Sequence, residues 1–338
     1  MTLQVTKTLI LTGRDDSLAI ALRRNEQPLA LLALPAELLC LVANCIPASS
    51  FRELRLTCRE MAAKNGHAFE AHILQTRWRI SEDSLATLLQ IARTPRFRHR
   101  IRVLRFSVHF LNNYNTWFEK GESAKSYWAT LVRQQIEFLE GDRPAALLGL
   151  ILSNLPDLLE VEIGQWDLGY DNYHGKLDID RSQVAQYATP TTICFRRILT
   201  ALALVQPRLV TLSVRNWDIW GIDHGVEVDR IAALEPGTPT ARGLGAAFNN
   251  MTCFRVCLDY GAKFVTNDWN KGRSQWLTNL IGLMPRLKIL FVAFNGIYDD
   301  IDRLNHVFES HLDVTRNLFQ HAQIPNLVSF ELYNAVFS

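Results

Sequence analysis

What this 338-residue chain lacks narrows its roles. It has no excess of charge: 36 Lys and Arg stand against 34 Asp and Glu, a formal net charge of +2. That excludes a field strong enough to argue for DNA, RNA or an acidic membrane surface as a partner. Long apolar runs are missing too. None approaches the roughly 18–20 residues that cross a bilayer, so no span is expected. The opening MTLQVTKTLILTG has one Lys before a short apolar patch and no small-residue cleavage site, so no signal peptide is expected. Also missing are a Gly-rich phosphate loop, a G-x-S-x-G elbow and an H-E-x-x-H pair. The expectation is a chain that is no enzyme and needs no cofactor.

Cysteine is sparse. Cys40, Cys45, Cys58, Cys194, Cys253 and Cys257 mostly fall inside apolar periodic segments. This suits reduced, buried thiols of an intracellular protein, cytoplasmic or nuclear. Cys40, Cys45 and Cys58 with His67 and His72 lack the Cys-x2-Cys knuckle and the His spacing of a zinc site. The acidic cluster Asp299, Asp300 and Asp302 lacks the glycine and distal Glu of a calcium loop. No metal is expected.

What the chain does have is 48% hydrophobic residues, enough for a substantial core. Three short helices are signalled early. Pro35 suits the first helical position and Glu37 the positive end of the helix dipole. Leu38, Leu39, Leu41, Val42, Cys45 and Ile46 then fill over half the circumference before Pro47 stops the run. A second helix is expected from the capping box Ser50-Phe51-Arg52-Glu53 to Gly66, with Phe51, Leu54, Cys58 and Met61 in one stripe. A third carries Phe69, Ile73 and Leu74 toward Trp78. Leu34, Leu38, Leu41 and Leu56 cannot all fit inside so small a bundle. The surplus must dock on the rest of the chain or on another protein.

Leu-Pro-x-Glu-Leu-Leu at 34–39, followed by Leu54-Arg55-Leu56-Thr57-Cys58-Arg59, resembles the F-box of the type common in fungal proteins. The resemblance covers about 45 residues and implies a three-helix F-box at 31–77, preceded by a weakly ordered tail at 1–30. It further implies that Leu34, Pro35, Leu38, Leu39, Leu54, Leu56 and Cys58 dock a Skp-type adaptor, and through it a cullin, directly or by shaping the helices. The chain would then be the substrate-recognition subunit of an SCF-type ubiquitin ligase. A scaffold that uses the box for assembly without ubiquitination is the alternative.

From residue 100 the pattern changes. Ile101-Leu104-Phe106, Leu158-Val161-Ile163, Leu209-Leu212-Val214, Cys253-Val256-Leu258, Leu287-Leu290-Val292 and Leu327-Phe330-Leu332 share one L-x-x-L-x-L template. Pro156, Pro207, Pro285 and Pro325 each stand two residues ahead of a segment. Helical patterns at Ala145–Leu155, Ile193–Val205, Gln275–Met284 and Leu304–Phe319 come before them. Helix, Pro, then L-x-x-L-x-L resembles a leucine-rich repeat, although the starts at 101, 158, 209, 253, 287 and 327 are spaced less regularly than the roughly 20–29 residues of a regular repeat. The fold class expected is α/β, a degenerate leucine-rich-repeat-like horseshoe over 78–338 with parallel strands inside and helices outside. The order of elements alone also fits another α/β arrangement.

Two insertions interrupt it: Asn112–Asp142, with Trp128, Leu131, Val132, Gln135 and Ile136 at helical spacing, and Gly164–Pro190. Trp166, Trp217, Trp220, Tyr260, Phe294 and Tyr298 gather just past the strand segments. They are candidates for binding an unknown target protein on one rim, and equally candidates for plugging gaps between irregular repeats. The basic run Arg93, Arg96, Arg98, His99, Arg100, Arg102 and Arg105 reads as a solvated junction ahead of the first strand.

Overall fold

Residues with one buried face at period two, four of the runs preceded by a helix and then a proline, build a parallel α/β sheet. The computed structural model describes residues 31, 34–46, 53–107, 130, 134, 137–165, 190–216, 226–227, 237–259, 275–295, 314–320, 322 and 324–333. The chain divides into two compact units, Met1–Ile73 and Leu74–Ser338.

The first unit contains α1 (Ala36–Cys45), a helical turn at 53–56, α2 (Arg59–Lys64) and the start of α3 (Gly66–Gln75). The second helix expected from the sequence is broken. The chain bends at Thr57, and extended Cys58 caps α2, its Sγ accepting from the Met61 N–H at 3.4 Å. Gly66 opens α3 instead of ending the helix before it. Ser50, Phe51 and Arg52 of the expected capping box lie outside the described residues.

The first strand of the larger unit is β1 (Arg77–Arg79), which follows the end of α3 and takes Trp78 into the sheet. There follow α4 (Glu82–Arg93), α5 (Pro95–Arg98), β2 (Val103–Ser107), α6 (Arg143–Ser153) and β3 (Glu160–Gln165). Next come α7 (Pro190–Val205), β4 (Thr211–Asn216), β5 (Val226–Glu227), α8 (Pro239–Phe248) and β6 (Cys253–Asp259). α9 (Gln275–Gly282), β7 (Ile289–Asn295), a helical stretch at 314–320 and β8 (Ser329–Tyr333) complete the described elements.

Every pairing is parallel and the main path runs β1-β2-β3-β4-β6-β7-β8, in chain order without reversal; β5 pairs with β6. Right-handed crossovers that always step the same way carry their helices to the same face of a sheet. α6 packs between α4 and α7, and α7 packs on α8, so the helices follow the order of the strands. Just ahead of the strands, backbone bonds link Leu159 to Arg102, Val210 to Leu159, Thr252 to Val210, Lys288 to Thr252 and Val328 to Lys288, at 2.8–2.9 Å. One unit is thus laid on the last by the same hydrogen bond each time.

That ladder corrects one strand. Phe254 lies beside Leu212 and Leu290, and Val256 beside Val292. The fourth template is therefore Met251-Phe254-Val256, two residues earlier than Cys253-Val256-Leu258. A slip of two keeps the same face inward, so alternation cannot detect it. β6 hides the slip further, because Cys253, Phe254, Val256, Cys257 and Leu258 are all buried.

The core lies between the sheet and the helices. Leu104, Phe106, Val161, Ile163, Leu212, Val214, Phe254, Val256, Leu290 and Val292 join it from the strands; Leu88, Leu148, Ile198, Leu244 and Leu280 join it from the helices. Phe195 of α7 and Trp276 of α9 meet edge to face with centroids 6.1 Å apart. α7 ends at left-handed Gln206 (φ 56°), which turns the chain into Pro207. At α8, Thr238 caps the N-terminus by accepting from the Ala241 N–H at 3.2 Å, and Pro239 takes the first position. Gly243 of α8 faces Ala203 of α7 so closely that a Cβ would stand 2.2 Å from the Ala203 carbonyl oxygen. No described helix is long and apolar enough to cross a membrane.

Candidate functional site

Two surfaces carry features that packing alone does not account for. The first is on the small helical unit. α1 is apolar around much of its circumference, yet its core, built on Ala68 with Cys40, Ile46, Leu54 and Phe69 against it, can take one side. Leu39 points inward and is 1% exposed, while Leu38 is 46%, Leu41 60% and Leu56 85% exposed. The Arg55 guanidinium covers the Phe69 ring, 3.5 Å from its centroid. Asn65 is buried and donates from Nδ2 to the Met61 carbonyl at 3.2 Å. The Arg55 contact ties the turn at 53–56 to α3, and the Asn65 bond closes the end of α2; Leu56 projects outward from the turn.

The seven adaptor candidates therefore divide. Leu38, Leu56 and Pro35 are exposed; Leu34, Leu54 and Cys58 are half-buried; Leu39 is buried. Leu39, Leu54 and Cys58 shape the helices: the first two pack inward and the third caps α2.

The second surface is the face of the sheet that points away from the helix core. Side chains alternate along a strand, and the register sets Arg77, Arg105, Glu162, Ser213, Arg255, Phe291 and Glu331 in one row across the strands. Glu162 is 5% exposed and is held between Arg105 Nε at 2.8 Å and Arg215 Nη2 at 3.4 Å. Such charge-assisted pairing offsets the cost of burying the carboxylate. Two residues earlier, Glu160 is held above its ordinary carboxyl range. Burial is the largest cause, followed by the negative charge of Glu162 and a hydrogen bond to it; Arg215 and Arg105 pull the other way. Ser213 is fully buried, and neither its Oγ nor Arg215 Nε has a hydrogen-bond partner among the described residues.

The basic run thus splits. Arg105 is no part of a solvated junction; it sits in the sheet, paired with Glu162. His99 meets Asp157 at 2.9 Å on the surface, and Arg93, Arg96, Arg100 and Arg102 are exposed. The row was hidden in the sequence as the variable residue between the last two apolar positions of each template. Placing the fourth template two residues late put Cys257 where Arg255 belongs.

Of the aromatic candidates, Phe294 lies in β7 with its ring in the core, 1% exposed, and offers no surface to a partner. As a residue of the third inward position in β7 it packs under the sheet. Trp166, Trp217, Trp220, Tyr260 and Tyr298 lie outside the described residues, as do most of Asn112–Asp142 and Gly164–Pro190. Among the described residues, no group of three or more His, Cys, Asp or Glu could hold a metal ion. Burial pushes the Cys194 thiol up to about 12, as befits a packing residue and not a nucleophile. No protein-family model matches the chain, and no curated protein matches it.

Proposed function

We propose that this chain is the substrate-recognition subunit of an SCF-type ubiquitin ligase. Its small helical unit acts as an F-box that docks a Skp-type adaptor, and its larger unit, a degenerate leucine-rich-repeat-like horseshoe, holds a target protein. The observation that carries the reading is the exposure of Leu38, Leu41 and Leu56 on a unit too small to hide them, within a stretch whose two ends resemble the F-box. Covering a fully exposed leucine returns roughly 1.5–3 kcal/mol, so a few such side chains can anchor a stable interface. The strands of the larger unit follow chain order and are all parallel, which supports the repeat-like reading.

In this role the chain makes and breaks no bond. It raises the effective concentration of a target lysine near a charged ubiquitin-conjugating enzyme. The test is co-purification with a Skp-type adaptor, comparing wild type with Leu38→Asp and Leu56→Asp. Each substitution should weaken capture by ~30-fold or more, the size of an interface hot spot, while tryptophan fluorescence shows the larger unit still folded. Equal recovery by wild type and both variants would remove the proposed interface.

A further inference from the structure

The row of charge across the sheet has one property that its own pairings do not exhaust. From β1 to β6 the outward positions whose side chains are described carry Arg77, Arg79, Arg105, Arg215 and Arg255 against Glu160 and Glu162, and the register adds Glu227 and Asp259 at the ends of β5 and β6. Glu162 shows what the arginines accept: a carboxylate seated between Arg105 and Arg215. After that pairing, Arg215 Nε and Ser213 Oγ remain buried without an acceptor among the described residues. Ser213 stands in the row, between Glu162 and Arg255, and Arg215 lies two residues farther along β4 on the same face. A buried donor left unpaired is destabilising until an acceptor reaches it.

We propose that this face, centred on Ser213, Arg215 and Arg255, binds an acidic segment of a protein target, whose Asp or Glu carboxylates meet the arginines as Glu162 already does. The inference rests on the reading of the larger unit as the target-holding half, and adds the chemistry of what it holds. Adjacent strands lie about 4.8 Å apart, so a chain crossing them meets a new outward side chain at each step. A nucleic acid fits less well, because a formal net charge of +2 supplies no field to hold a phosphate backbone.

The experiment uses the full chain and fluorescence anisotropy. The probes are a labelled peptide with a run of Asp and Glu, the same peptide with Asn and Gln instead, and a labelled single-stranded RNA. The acidic peptide should bind, and more weakly as salt rises; its amide counterpart should bind at least ~10-fold less well. Arg255→Ala should cost ~10-fold in affinity, the size of one lost charge-assisted hydrogen bond, with Arg255→Lys recovering part of it. Arg79→Ala, which leaves both pairs of Glu162 in place, should give a smaller loss in the same direction.

The proposal is overturned if acidic and amide peptides bind alike, if neither binds, if the RNA binds more tightly than the acidic peptide, or if Arg255→Ala binds as wild type does. Adaptor capture on the same preparation separates the two claims. Intact capture without acidic-peptide binding rejects this inference alone, and the reverse result rejects the adaptor reading alone.

Discussion

Leucine is used differently in the two units. In Leu74–Ser338 the template leucines Leu104, Leu158, Leu209, Leu212, Leu287 and Leu290 are at most 2% exposed. Each strand–helix unit buries its apolar edge on the next. Its exposed apolar side chains are spread out, with Leu150, Leu159 and Leu204 each on a separate helix or turn, until the last described elements, where Phe319 of the helical stretch at 314–320, Val328 just ahead of β8 and Tyr333 at its end are open. The described residues of Met1–Ile73 show no such succession. Leu38, Leu41 and Leu56 are exposed there, beside a handful of buried apolar residues, Leu39, Met61, Ala68 and Ile73. Scattered surface leucines need no explanation, whereas several on one small bundle indicate a surface made to be covered.

The sharpest way to break that comparison lies inside α1. Leu38 and Leu39 are chain neighbours of the same chemistry, one 46% and the other 1% exposed. Leu39→Ala should destabilise the small unit by about 2–5 kcal/mol, a large-to-small change in a packed site. Leu38→Ala should change its stability by no more than about 0.5 kcal/mol. Hydrogen exchange at the amides of α1 and α3 reads the difference. Equal protection in the two variants would mean that the exposed leucines are structural after all.

Next in size is a backbone contact in the larger unit. A Cβ at Gly243 would stand 2.2 Å from the Ala203 carbonyl oxygen and 2.9 Å from its carbon. Backbone cannot swing aside as a side chain can, so α7 and α8 must move apart. Gly243→Ala should cost about 1–3 kcal/mol by overpacking, whereas Gly149→Ala, whose nearest neighbour would be the Val205 side chain at 3.7 Å, should cost far less. All eight tryptophans fall in this unit, so urea melts followed by tryptophan fluorescence report on it alone. Matching midpoints for the two variants would show that the helices are not in close register there.

These contrasts bear on what the sequence could reveal. The inward positions of the sheet were legible because one buried face imposes period two, and the prolines marked where helices stop. β1 was not legible: Arg77-Trp78-Arg79 is three residues long, with two charged, and directly follows a helix. α8 was missed because PTARGLGAAF has two glycines and a proline, poor helix formers by propensity. One of those glycines is the residue that lets α7 approach. The break at Cys58 was hidden because a thiol is a weak capping signal beside Ser, Thr or Asp. The greasy surplus of the small unit could be named from residue types, and of Leu34, Leu38, Leu41 and Leu56 the last three are exposed and the first is half-buried; that Leu39, read with the adaptor candidates, turns inward needed the fold. The charged row needed the register of every strand, and one strand misplaced by two residues concealed it.

The smallest effect concerns how the larger unit treats charge, and it runs opposite to the small unit's exposure of grease. Glu160 is held above its ordinary value of 4.5 by burial first and by Glu162 second, so the folded chain binds that proton more tightly than the unfolded chain. Stability from this group is therefore fully present below about pH 4.5 and is lost as pH rises through the raised folded value. At neutral pH the carboxylate is a liability. Glu160→Gln removes the charge and keeps an N–H that can donate to Glu162. The variant should be modestly more stable than the parent at pH 7, with the advantage shrinking as pH falls toward 4.5. Urea midpoints at the two ends of that window give the answer. A constant difference across it would mean that packing, and not the proton, sets the effect; a variant less stable at neutral pH would mean that the arginines at Glu162 lean on Glu160 as well, and that the row is closed by its own charges.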